Sequence, residues 1–185
     1  MNNSIYELSA HGKQTQIPVF LKKHILALVT FSLLASLAWA ANPVLKDFDG
    51  KPAAIEDFTE QGKWLIVMIW ASDCHVCNEE VGNYEAFHTA HKGDNAAVLG
   101  ISLDGSDKKR EAVKFIKRHQ ITFPNLIGEP DEVADMFYQL TGSPWIGTPT
   151  FLIYNQAGKL VIKQEGGVPT SLIENYIELN SVVSN

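Results

Sequence analysis

Three observations predict an α/β fold, a central mixed β-sheet flanked by helices with a small N-terminal β-hairpin. The first is Trp64–Trp70, seven apolar residues without alternation, the pattern of a strand buried on both faces. The second is the alternation of such runs with amphipathic helical stretches over residues 64–140. The third is the closing order, a hairpin spanning Thr150–Glu165 and then one more helix.

Each element follows from local chemistry. Asp47-Phe48-Asp49-Gly50-Lys51-Pro52 is a turn between short apolar pieces, which predicts the hairpin. The two cysteines follow Trp70 closely, and Val81, Tyr84, Phe87 and His88 then recur at helical spacing, so a helix begins near Cys77. Ala96–Leu103 is a second apolar strand, and Ala112, Phe115, Ile116 and His119 place a helix over Asp107–Gln120. A short strand covers Asn125–Ile127 between Pro124 and Gly128. Pro130 with Asp131 and Glu132 opens a third helix, whose inner stripe is Val133, Met136, Phe137 and Leu140. Thr150–Tyr154 is a buried strand that Asn155-Gln156-Ala157-Gly158 turns into Lys159–Glu165. Ser171 and Glu174 form a capping-box pattern for the last helix, with Leu172, Ile173, Tyr176 and Ile177 facing inward.

Composition narrows the function. Of 185 residues, 45% are hydrophobic and 19% charged, which excludes a mainly disordered chain. Thirteen glycines and eight prolines without a period exclude a collagen-like or low-complexity chain. With 15 basic and 21 acidic residues and no contiguous basic block, nucleic acid is not an expected partner. Two cysteines, Cys74 and Cys77, exclude a multi-disulfide scaffold and mark the place to look for chemistry.

Residues 1–40 read as a leader and 41–185 as one domain. Lys22-Lys23-His24, the apolar run from Ile25 and the ending Ala38-Trp39-Ala40 are the three parts of a secretory signal peptide. The run spans 16 residues, short of the ~20 that a membrane span needs. The expectation is cleavage after Ala40 and a soluble periplasmic product; the alternative is retention on the inner membrane by residues 25–40. The polar stretch Met1–Phe20 is unusual ahead of such a signal, and a start near Leu21 would account for it. No cysteine follows the apolar run, so lipid anchoring is not expected. Residues 41–185 number 145, enough for one core and too few for two, with 12 basic and 20 acidic residues. No repeat of solenoid length occurs. Export places both thiols where disulfides persist.

The segment Trp70-Ala71-Ser72-Asp73-Cys74-His75-Val76-Cys77 lies where a buried strand ends and a helix begins. Free N–H groups and the macrodipole at a helix start stabilise a thiolate and lower its pKa. Cys74 then acts as the exposed attacker, and Cys77, one turn inside the helix, resolves the mixed disulfide. Zinc held by Cys74, Cys77, His88 and His91 is disfavoured, because eleven helical residues separate Cys77 from His88, ~16 Å of rise. Haem attachment wants His after the second cysteine, where Asn78 stands. A purely structural disulfide is disfavoured because so small a ring constrains little chain entropy.

The motif, together with Gly147-Thr148-Pro149-Thr150-Phe151 some seventy residues later, resembles the thioredoxin superfamily. The leader, the Asp47–Lys51 hairpin and Glu80 are similar to the exported TlpA/ResA/CcmG-type thiol–disulfide oxidoreductases. The resemblance covers about residues 43–180. It implies a thioredoxin-like fold and a redox-active Cys74–Cys77 disulfide with no other cofactor. It also implies a cis Thr148–Pro149 bond that leaves the Thr148 backbone free to pair with a substrate strand. Pro149 as an ordinary strand-entry proline fits poorly, since the residues from Phe151 read as a central strand. Met68 stands where classical thioredoxin has a buried Asp.

Several assignments stay two-sided. Glu80 is either a proton relay to Cys77 or a solvated first-turn acid. His75 either stabilises the Cys74 thiolate or is a solvent-facing spacer. Trp145 either lines a substrate groove or belongs to the core. Trp70, His75, Thr148 and Pro149 are the expected substrate-binding residues, and Cys74, Cys77 and Glu80 the expected catalytic ones. The functional expectation is a monomeric periplasmic reductase of exported proteins, recharged by a membrane thiol reductase, with cytochrome c maturation among its candidate tasks. The competing reading is a Cu(I) carrier using the two soft thiolates, although such carriers space their cysteines by three residues and add a distant His. A peroxidase of the peroxiredoxin kind is disfavoured because Ala71 stands where its Thr or Ser would be.

Overall fold

The computed structural model describes residues 45–59 and 61–181. The expected leader and cleavage site lie outside the described residues. Among those residues seven strands form one sheet: β1 (Leu45–Asp47), β2 (Pro52–Ala53), β3 (Trp64–Trp70), β4 (Ala96–Ser102), β5 (Asn125–Ile127), β6 (Thr150–Tyr154) and β7 (Leu160–Glu165). Their order is β2-β1-β5-β4-β3-β6-β7. The pairs β3/β4 and β4/β5 are parallel and the rest antiparallel. Parallel neighbours need a crossover. The helices α1 (His75–His91) and α2 (Lys109–Arg118) supply the two that are required. A 3₁₀ turn, Ile55–Phe58, leads into β3, and α3 (Pro130–Thr141) and α4 (Thr170–Ser181) complete the layers.

The missing alternation in β3 has a direct cause, because both of its faces are covered. Trp64, Ile66, Met68 and Trp70 pack with Val81, Tyr84 and Phe87 of α1, Phe115 of α2 and Ile177 of α4. Leu65, Val67 and Ile69 pack with Val133 and Phe137 of α3 and with Ile55. The hairpin turn between β1 and β2 is closed by Asp47, whose carboxylate accepts the N–H groups of Asp49 and Lys51, with Gly50 at φ +90°.

Differences from the sequence expectations sit at element ends. Helix α1 starts at His75, before Cys77, because Cys74 caps it. Helix α2 is shorter than 107–120, and Gln120 adopts φ +52° just beyond its end. Helix α4 begins at Thr170, so Ser171 lies inside its first turn and the capping pattern is out of register. Leu172 is correspondingly turned outward, 60% exposed, rather than facing the core.

Candidate active site

Both cysteines are positioned by the end of β3. After Trp70 the chain makes a tight turn, in which the Cys74 N–H donates to the Ala71 carbonyl at 3.1 Å. Cys74 is the N-cap of α1, and its Sγ accepts the Cys77 N–H at 3.1 Å. The two sulfurs are joined as a disulfide with a Cα–Cα distance of 5.3 Å. Cys77 is fully buried, whereas Cys74 is half-buried at the mouth of the turn. The start of a helix offers N–H donors and positive potential to whatever is seated there, here the Cys74 sulfur.

Three polar contacts hold this turn, and none was expected from the sequence. The buried Asp104, beyond the end of β4, accepts the Ser72 N–H at 3.0 Å and the hydroxyls of Ser72 and Ser102 at 2.8 Å each. Asn78 donates its amide to the carbonyls of Cys74 (2.7 Å) and Ser72 (3.3 Å). The Asn78 Oδ1 in turn accepts from Arg118 at 2.7 Å and lies 3.1 Å from the His119 Nε2. Burial and then the Arg118 charge hold the His119 imidazole below its ordinary pKa. Asp73 pairs with Lys108 at 2.9 Å, and that hydrogen bond is the largest influence lowering the Asp73 pKa. A signal for Asp104 did exist, since it is an acid placed two residues after a buried strand.

The facing loop comes from β6, whose first residue Thr150 pairs with Ile69. Pro149 therefore leaves the sheet at the same end as Trp70. The Thr148–Pro149 bond is cis, and the Pro149 carbonyl accepts the Gly166 N–H at 2.9 Å. Neither backbone polar group of Thr148 has a hydrogen-bond partner among the described residues. Ile146 is 73% exposed. Trp145 packs against the α3-side core, and its buried indole N–H finds no partner among the described residues.

The remaining expected site residues fall in different places. The Glu80 carboxylate accepts the Val168 N–H at 3.2 Å, tying α1 to the loop after β7. The Tyr84 hydroxyl donates to the Val168 carbonyl at 2.8 Å. Burial, and next the Glu80 charge, push the Tyr84 phenol well above its ordinary pKa. His75 is 85% exposed and its Nε2 lies 3.2 Å from Glu79, so the imidazole faces solvent along the outside of α1. Trp70 needs correction. Its indole is buried, stacked on Phe115 at 4.3 Å and bonded to the Asn125 Oδ1 at 3.0 Å, so it cannot touch a substrate. Gly100 permits that bond, since a Cβ there would stand 1.9 Å from Asn125 Oδ1. The other two histidines among the described residues are engaged elsewhere: His88 accepts the Val98 N–H, and His91 meets Asn95 and Glu174. Among the described residues no helix is long and apolar enough to cross a membrane.

Comparison with known proteins agrees with this geometry. The chain matches the AhpC/TSA family over residues 39–163. It is 23% identical to sporulation thiol-disulfide oxidoreductase A of Bacillus subtilis over 136 residues, 73% of this chain and 77% of that protein. It is likewise 23% identical to the thiol-disulfide oxidoreductase ResA of Halalkalibacterium halodurans over 140 residues, 76% and 74% of the two chains. A thioredoxin-family thiol:disulfide interchange protein from Chlorobium tepidum superposes with a TM-score of 0.60 at 18% identity, covering 72% of this chain and 88% of that one. StoA from Bacillus subtilis superposes with a TM-score of 0.55 at 22% identity, over 72% and 96%. The chain belongs to the AhpC/TSA family, as a thiol–disulfide oxidoreductase of thioredoxin-like fold.

Proposed function

We propose that this protein is a monomeric, exported, periplasmic reductase of protein disulfides that works through Cys74 and Cys77 and needs no metal. The observation that carries the assignment of roles is the capping geometry, in which the half-buried Cys74 sulfur already receives the Cys77 N–H at 3.1 Å. In the reduced protein that donor and the α1 dipole stabilise a Cys74 thiolate. The thiolate attacks one sulfur of a substrate disulfide, a Cys74–substrate bond forms, and the other substrate sulfur leaves and takes a proton. Cys77 then loses its proton and attacks the Cys74 sulfur, which releases the second substrate thiol and closes the Cys74–Cys77 bond. Two electrons pass from the protein to its substrate. A membrane thiol reductase returns them, and the family resemblance suggests cytochrome c maturation or another exported protein as the destination. The free Thr148 backbone groups support pairing with an extended substrate strand beside the attacked disulfide.

Trapping tests these roles. In the presence of chelator, Cys77→Ser should accumulate mixed disulfides with exported proteins and Cys74→Ser should accumulate none. Equal trapping by both variants overturns the assignment. Trapping that vanishes with chelator favours the Cu(I) carrier.

A further inference from the structure

We propose that the outward face of α2 docks an acidic segment of the protein substrate next to the disulfide that Cys74 attacks, a proposal that rests on the redox reading above. The basic residues concerned are spaced along the sequence, and only the helix gathers them. Residues 107–118 hold six of the twelve basic residues between 41 and 185 but only two of the twenty acids. That segment is positive by four, in a domain whose remainder is negative by twelve. Ala112 and Phe115 turn to the core, which sends Arg110, Lys114 and Lys117 to the opposite, exposed face. Arg110 and Lys117 make no ion pair among the described residues, and Lys114 has only a loose 3.8 Å contact with Glu111.

The helix that carries this face is tied at both ends to the thiol segment. Lys108, just before α2, pairs with Asp73. Arg118 and His119, at its other end, meet Asn78, which holds the Cys74 carbonyl. Both ends of α2 are thus bonded to the segment that carries the reactive sulfur. A chain with acidic side chains flanking its disulfide is attracted to this strip and repelled by most of the remaining surface. The consequence is steered encounter and a preferred orientation of approach.

Single-turnover reduction by the pre-reduced full chain tests the proposal. Three disulfides serve as probes: a looped peptide flanked by Asp and Glu, the same loop flanked by Lys, and the small uncharged hydroxyethyl disulfide. At low ionic strength the acidic peptide should react at least about tenfold faster than the basic one. The gap should close near 1 M salt, where the screening length is ~3 Å. The variant Arg110→Gln/Lys114→Gln/Lys117→Gln should abolish the preference and leave the hydroxyethyl disulfide rate unchanged. The charge-matched variant Lys51→Gln/Lys159→Gln/Lys163→Gln should keep the preference, and its loss there would overturn the proposal in favour of net charge. Equal rates of the unsubstituted protein on both peptides overturn the docking face and leave the thiol chemistry standing. Failure on all three disulfides overturns the redox reading itself. Binding to anionic phosphatidylglycerol vesicles that the α2 variant loses, without any peptide preference, would give the face to a membrane and overturn the protein partner.

Discussion

Ala71–Cys74 and Ser143–Pro149 leave the same end of the sheet, and they are held in opposite ways. The first has Asp104 under Ser72, Asn78 across two of its carbonyls and Lys108 on Asp73. The second leaves the Thr148 backbone unpaired among the described residues, buries an indole N–H without a partner there, and exposes Ile146. The difference teaches that one side of the site is built in advance and the other has bonding capacity to give. A nucleophile needs fixed surroundings, because misplacement costs rate. A surface that accepts varied peptide strands gains from free backbone groups and a large apolar side chain.

The comparison breaks first at Asp104. Asp104→Ala strands the Ser72 N–H and the Ser102 hydroxyl, so urea unfolding should show a loss of about 3 kcal/mol. A loss below ~1 kcal/mol would mean that the turn is not held from β4. The two tryptophans sharpen it next. Trp70→Phe gives up a buried bond to Asn125 and part of a filled site, and should cost about 2 kcal/mol. Trp145→Phe removes a donor with no described partner and should change stability by less than ~1 kcal/mol in the same assay. Reversal of that order would show the facing loop to be the better anchored one. The smallest effect is ionic. Asp73 is held below the usual carboxyl pKa of 3.8 mainly by the Lys108 hydrogen bond. The lowered value contributes stability above the unfolded pKa, and that contribution fades as pH falls through the folded value. Lys108→Gln should bring the NMR-titrated Asp73 pKa back up towards 3.8, and an unmoved Asp73 would remove this tie from the comparison.

What could be read in the sequence divides along physical lines. Strand β3, the thiol pair and the strand starting at Thr150 were legible because each is a local pattern, an apolar run or a fixed spacing. The support beneath the thiols was not, since Asp104 lies 32 residues from Ser72 and meets it only through the parallel pairing of β3 with β4. Trp70 was misread for a related reason. In a strand covered on both faces, no alternation tells which way a side chain points, and nearness to Cys74 along the chain is not nearness in space. Ser171 shows the limit at helix ends, where a pattern present in the letters is shifted by two residues in the fold. The basic strip on α2 was invisible as a block because helical spacing, not adjacency, assembles it.

The loop after β7 imposes a constraint between two distant positions. Gly167 lies so close to Glu80 that an added Cβ would fall 2.3 Å from a carboxylate oxygen. The oxygen belongs to the free end of a flexible side chain, so it can yield while the backbone stays. Any residue larger than glycine at 167 therefore displaces the carboxylate from its present place beside the Val168 N–H without deleting its charge. Positions 80 and 167 are epistatic in consequence: drift at one changes what the other is permitted to be. The same coupling gives genetics a lever that truncation of Glu80 lacks, separating where the negative charge sits from whether it exists.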